Sequence, residues 1–147
     1  MASESMITGK LKGTGGSYRL PSFEHARVSD AMRAGVIACP LETPVETVAR
    51  MMATNHIHAV IVTGGGESPF GVVSERELLG AAGAPDAEAA SIAVDPVTVR
   101  PDDTLSSASR LMLDRGVSHL IVTNASGRPL GVLSALDIAG VLAWGLA

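Results

Sequence analysis

The feature that most constrains this chain is a long stretch that occurs twice at a constant offset of 60 residues. The first copy runs Ala59-Val-Ile-Val-Thr63, a polar turn, then Pro69-Phe-Gly-Val-Val-Ser-Glu-Arg-Glu77. The second runs Leu120-Ile-Val-Thr123, another polar turn, then Pro129-Leu-Gly-Val-Leu-Ser-Ala-Leu-Asp137. Arg50 matches Arg110, Met52 matches Met112, Gly71 matches Gly131, Ser74 matches Ser134 and Gly80 matches Gly140. A chain of 147 residues that repeats itself this way holds two similar units. Units of about 55–60 residues bury too little surface to stand alone, so the two are expected to share a core.

The local signals give each unit the same order: strand, helix, strand, strand, helix. Val36-Ile-Ala-Cys39 reads as a short strand ended by Pro40. Thr43-Pro-Val-Glu46 reads as a helix start, with Thr43 capping, Pro44 at the first helical position and Glu46 closing a capping box. On this reading Pro44 is one extra residue between the copies, and Thr104 caps the second helix. Ala59–Val62 and Leu120–Val122 are continuous apolar runs, as expected of strands buried on both faces. Gly64-Gly-Gly-Glu-Ser68 and Asn124-Ala-Ser-Gly127 are turn sequences that return each strand as a hairpin. Helices are then predicted from Ser74 to about Ala82 and from Ser134 to about Trp144. The class is α+β: two β-α-β-β-α repeats with pseudo-twofold symmetry. The expected divisions are an arm at 1–27, partly flexible, a first repeat at 28–85 and a second at 86–147. Tyr18, Leu20 and Phe23 would pack the arm on the body or on a second subunit.

Composition narrows the function. Only 3% of residues are aromatic while 46% are hydrophobic, so the core must be aliphatic. Residues 28–147 carry 7 basic against 13 acidic side chains, which argues against nucleic acid as a partner. No apolar run is long enough to span a bilayer and the first residues lack a signal peptide's apolar stretch, so no membrane role and a cytoplasmic location are expected. The single cysteine, Cys39, fits a reducing compartment and reads as packing rather than nucleophile. His56, His58 and His119 supply too few convergent ligands for a metal site, so none is expected. Trp144 reads as a core or interface plug.

Gly131-Val-Leu-Ser134-Ala-Leu-Asp137 is the most informative motif. It sets a serine and a carboxylate on the first turn of a helix that follows a strand. Unpaired amides there suit a phosphate, and a carboxylate can accept both hydroxyls of a ribose. Ser-x-x-Asp is equally an ordinary capping box, and the residues alone leave both readings open. In the first copy the carboxylate is Glu77, one methylene longer, with Glu75 beside it.

The ordered set of strand, Pro-x-x-Thr, helix, apolar strand, turn and Gly-x-x-Ser-x-x-Asp resembles the CBS domain, and its repetition resembles a CBS pair, or Bateman module, over about residues 28–143. The resemblance implies clefts built across the two repeats. One cleft would join Ser134 and Asp137 to Arg33, Ile37, His58, Ala59 and Val60. The other would join Ser74 and Glu77 to Asp95, Thr98, Ser118, His119 and Leu120. Apolar members would sandwich a purine and the Asp would hold its ribose. The family's nearby Arg is replaced by Ala59 after His58, and Asp95 would repel phosphate, so adenosine or an adenosyl group with a cationic tail enters beside the nucleotides. The Glu77 cleft is expected to bind weakly, to bind something else or to stay empty. The implied function is a stand-alone regulatory module, not an enzyme, that binds an adenosine-containing ligand (AMP, ADP, ATP, NAD or S-adenosylmethionine) and acts on a separate effector protein. The alternative is a structural dimerisation module with empty clefts. A homodimer is expected through Leu78, Leu79, Ala81, Ala82, Ile138, Ala139, Val141 and Leu142.

Overall fold

The computed structural model describes residues 23–66 and 68–145; Tyr18 and Leu20 lie outside them. A first four-residue helix, α1 (Val28–Ala31), leads into a short strand, β1 (Arg33–Ala34). The first repeat then supplies β2 (Ala38–Pro40), α2 (Val45–Asn55), β3 (Ala59–Thr63), β4 (Gly71–Ser74) and α3 (Glu75–Gly80). A short helix, α4 (Ala89–Ile92), opens the second, followed by β5 (Thr98–Val99), α5 (Leu105–Arg115), β6 (His119–Thr123), β7 (Pro129–Ser134) and α6 (Ala135–Trp144). The fold is mixed α+β, as the sequence predicts.

Two sheets carry the symmetry. One has the order β2-β3-β4 and the other β1-β7-β6-β5. Each central pair is an antiparallel hairpin, with Ala59 opposite Ser74 in one and His119 opposite Ser134 in the other. The parallel pairings also agree: Ala38 faces Ile61 as Thr98 faces Ile121. Strand alternation then divides the apolar residues between two faces. Val60 and Val62 turn toward α2 and its neighbours, while Ala59 and Ile61 turn inward to meet Val72 and Ile121 between the sheets.

The segments before each repeat cross to the other half. Ala26 and Val28 are buried in the core of Leu105, Leu120 and Leu133, with Phe23 packed against it. Ala89, Ile92 and Ala93 pack on the core of Val48, Val60 and Val73. Backbone hydrogen bonds hold both crossings in the same way. Val28 N–H donates to the Asp103 carbonyl (2.8 Å) and Leu105 N–H to the Ala26 carbonyl (3.1 Å). In the other half Ala89 N–H donates to Thr43 (2.7 Å) and Val45 N–H to Ala87 (2.8 Å).

These crossings correct the reading of the first helix start. Pro44, not Thr43, is the N-cap of α2, and no side chain caps it. The amides of Val45 and Glu46 are taken by the carbonyls of Ala87 and Pro85, so a side-chain cap is not needed there. Pro44 therefore stands where Thr104 stands, and the offset of 60 runs through without an extra residue. Thr104 does cap its helix, accepting from Ser107 N–H at 3.1 Å. The first strand is also shorter than expected: β2 is Ala38–Pro40, with the Ile37 carbonyl just ahead of it already accepting from Ile61 N–H at 2.9 Å.

Two glycines admit the crossing segments. β1 lies on β7 with Ala34 opposite Gly131, and a Cβ at Gly131 would collide with the Arg33 carbonyl oxygen. In the other half Val94 bridges Val72, and a Cβ at Gly71 would lie 2.9 Å from the Ala93 Cβ and 3.0 Å from the Val94 carbonyl oxygen.

Candidate functional site: two clefts across the repeats

The crossing of β1 onto β7 places Arg33 beside the start of α6, and a cavity of about 440 Å³ opens there. Arg33, Ile37, His58, Ala59, Ser134 and Asp137 all line it. Val60 does not, because it is wholly buried on the opposite face of β3. Ser134 and Asp137 form a complete capping box. Ser134 N–H donates to Asp137 Oδ2 at 2.8 Å, and Asp137 N–H donates to Ser134 Oγ at 3.2 Å. The carboxylate is thereby fixed in place, and its other oxygen, Oδ1, lies 3.9 Å from Arg33 Nε. The Arg33 side chain is 63% exposed and can leave that position for a ligand at small cost.

His58 sits on the opposite wall, with Nδ1 2.6 Å from Glu75 Oε2, a geometry that fits an Nδ1–H donating to the carboxylate. The sequence reading set Glu75 among the charges of the Glu77 cleft; its observed hydrogen-bond partner is instead a wall residue of the Asp137 cleft. The register explains this. Ala59 opposite Ser74 puts His58 next to the first residue of α3.

The second cavity is the larger, at about 560 Å³. Ser74, Glu77, Asp95, Ser118 and His119 line it. Leu120 is absent because it points into the second-half core, and Thr98 is exposed while its neighbour Val97 turns to the cavity. Glu77 is more fully engaged than Asp137: Ser74 N–H (2.7 Å) and Ser74 Oγ (2.6 Å) both donate to its Oε1. Arg76 also lines this cleft. Sequence reasoning passed over it, although a cation between two glutamates was visible in Ser74-Glu-Arg-Glu77.

His119 occupies the position of Ala59 and is 9% exposed, with Nδ1 buried and unpartnered among the described residues. Burial pushes its pKa below the usual 6.5, against the opposing pull of Glu77 and Glu75 and with a smaller push from His58. A His held neutral in the fold takes up a proton more readily once unfolded. Stability is therefore full above about pH 6.5 and falls as the pH drops from there toward the depressed folded value. Urea midpoints measured between pH 7.5 and 5.5 should fall in the parent, and His119→Ala should flatten that slope. An unchanged slope would remove His119 as its source. Cys39 is buried too, and its thiol is pushed up by that burial, against a hydrogen bond from Thr43 that lowers it, which suits packing rather than nucleophilic attack.

Among the described residues no group of three or more His, Cys, Asp or Glu could hold a metal ion. No helix among them is long and apolar enough to cross a membrane.

The CBS domain matches the chain twice, at residues 28–84 and 89–143. This chain belongs to the CBS-domain family. The uncharacterized protein MK0525 of Methanopyrus kandleri is 31% identical over 117 residues, which is 76% of this chain and 59% of that protein. The chain thus spans about three fifths of the length of that relative. The CBS domain protein PAE2072 from Pyrobaculum aerophilum, complexed with AMP, is 29% identical with a TM-score of 0.70, over 80% of this chain and 98% of that one. The CBS domain pair of protein MJ0100, in complex with 5′-methylthioadenosine and S-adenosyl-L-methionine, has a TM-score of 0.75 over 80% of this chain and 96% of that one. Its 14% identity shows a shared fold alone. The cytosolic domain of the Mg2+ channel MgtE in complex with ATP is 27% identical with a TM-score of 0.67, over 84% of this chain and 52% of that one.

Proposed function

We propose that this CBS pair is a regulatory module in the cytoplasm, without catalytic activity, that binds an adenosine-containing ligand in the Asp137 cleft and signals its presence to a separate protein. The observation that carries the reading is the Asp137 carboxylate. It is locked by Ser134 at a cavity walled by Ile37 and Ala59, with one oxygen turned toward an exposed cation. A ribose diol would take the place of Arg33 on that oxygen, and the apolar walls would hold the base. Similar CBS proteins solved with AMP and with ATP support this ligand class.

A thermal-shift panel of AMP, ADP, ATP, NAD and S-adenosylmethionine tests it. A ligand at a hundred times its dissociation constant adds about 2.7 kcal/mol, a rise of roughly 5–11 °C for a domain of this size. No rise with any of the five, and no ligand extracted from the purified protein, would favour the second reading, a dimerisation module with empty clefts. What supports that alternative is that both carboxylates already serve as helix caps.

The proposed assembly is a homodimer through the repeat helices. Of the residues expected at its interface, Ala81, Ile138 and Val141 are buried within the subunit instead. On α3 and α6 the large apolar residues left outward are Leu79 (78% exposed), Leu136 (67%), Leu142 (53%) and Trp144 (87%). Trp144 is therefore not a core plug. Light scattering at micromolar concentration should give twice the subunit mass, and Trp144→Ser with Leu79→Ser should lower it. A monomer mass for the parent would count against the dimer.

A further inference from the structure

The two cavities differ in a way the repeat makes legible. Their polar rims correspond at the offset of 60, His58 with Ser118, Ser134 with Ser74 and Asp137 with Glu77. Beyond that shared rim the Glu77 cavity continues into an annex along Ser109, Met112, Gly116, Ala135 and Ile138. The corresponding Ala49, Met52, His56, Glu75 and Leu78 do not line the Asp137 cavity. In the first half the hydrogen-bonded side chains of His58 and Glu75, 2.6 Å apart, stand at the positions that line the annex side of the cavity in the second. Their counterparts are Ser118 and Ala135, joined only through the backbone by Ala135 N–H to the Ser118 carbonyl at 2.8 Å. Neither side chain is long enough to close the gap. At the helix end Gly116 stands where His56 stands, both left-handed at φ 65 and 52, so no side chain enters there either.

We infer that the Glu77 cavity is a separate binding site for an amphiphilic organic cation, whose apolar arm fills the annex while its charged head rests between Glu77 and Asp95. Met112 and Ile138 give the annex an aliphatic wall, 6% and 7% exposed. The cavity exceeds its counterpart by the difference between about 560 and 440 Å³, room for roughly four water-sized groups. Two carboxylates against the single guanidinium of Arg76 leave the head region negative. His119 adds no compensating charge near neutral pH, since burial keeps it unprotonated. The site does not depend on nucleoside binding at Asp137.

The test uses n-alkylamines from propyl to octyl as probes, added to the full chain and followed by amide nitrogen–proton shifts. Perturbations are expected at Gly116, Ala135 and Ile138, with affinity rising about fourfold per methylene until the annex is full. n-Alkanols of equal length should bind more weakly at low salt, because they lack the charged head. Ala135→Leu should abolish the dependence on chain length. Ala135 is exposed at the helix start, and if that variant does not fold, Ser109→Leu occupies the same space. Glu75→Ala should open the first-half passage and add shifts at His56 and Leu78. Shifts absent from the annex, or undiminished in the filled variant, would overturn the inference. Because no probe contains a nucleoside, failure here is distinct from failure of the adenosine panel.

Discussion

Gly131→Ala is expected to lower the melting temperature by about 6–12 °C. The added Cβ would meet the carbonyl oxygen of Arg33, a backbone atom that cannot rotate away. Overpacking of this kind costs about 3 kcal/mol, and each kcal/mol is worth roughly 2–4 °C in a domain of this size. The only relief is for β1 to leave β7, which gives up the pairing of Arg33 with Val132 and of Ala34 with Gly131. The wall that the 33–35 segment gives the Asp137 cleft would then be lost, so ligand affinity should fall together with stability. Gly71→Ala should also destabilise, by about 1–3 kcal/mol, because its new Cβ would lie 2.9 Å from the Ala93 Cβ and 3.0 Å from the Val94 carbonyl oxygen, but by less than Gly131→Ala, whose clash is closer. Gly140 has nothing within 4 Å of a new Cβ and lies inside α6, so Gly140→Ala should be neutral or slightly stabilising. Differential scanning calorimetry on the three variants gives the order directly. An unchanged melting temperature for Gly131→Ala would mean that β1 is not held where the structure has it.

The same glycines show where sequence reasoning stops. Periodicity and turn chemistry were enough for the hairpins, because Ala59–Val62 and Leu120–Val122 are continuous apolar runs bounded by turn residues. The repeat made the symmetry visible for the same reason. The crossing of α1 and α4 to opposite halves was not legible, because a four-residue helix with one or two apolar side chains looks the same whichever core receives it. The cap of α2 falls at Pro44 because α2 starts at the same repeat position as α5, and carbonyls of Pro85 and Ala87 serve the amides of its first turn where Pro44 offers no side-chain acceptor. The crossing is the reason both glycines recur at the offset of 60. Most expected cleft residues do line a cavity. Those that do not, Val60, Leu120 and Thr98, sit next to residues that do, and a one-residue step along a strand reverses the face. The bond from Glu75 to His58 could not be read either, since it depends on the register between β3 and β4 rather than on spacing within one helix.

Asp137→Ala and Glu77→Ala should separate the two clefts. The carboxylate of Asp137 offers a ligand Oδ1, whose neighbour is an exposed arginine at 3.9 Å, while Oδ2 stays on the Ser134 amide. A charge-assisted hydrogen bond lost there costs about 1.5–3 kcal/mol, roughly ten- to a hundredfold in affinity for the adenosine-type ligand. Glu77 should matter far less to that ligand, since two donors from Ser74 converge on its Oε1 and Asp95 adds a second negative charge to its cavity. Its removal should leave adenosine affinity within about twofold. Each substitution deletes half of a capping box, so each should also cost the fold about 1 kcal/mol, near 2–4 °C, without unfolding it. That shared penalty is the internal control, because a purely structural role predicts equal losses of stability and no difference in binding. Titration calorimetry with the ligand found by the thermal-shift panel, alongside circular dichroism of both variants, reads the two effects separately. Equal losses of affinity would mean two working adenosine sites and would overturn the argument from the longer side chain of Glu77. Undiminished affinity in Asp137→Ala would leave Ser134 and Asp137 as a helix cap alone, and the ligand assignment would fall with it.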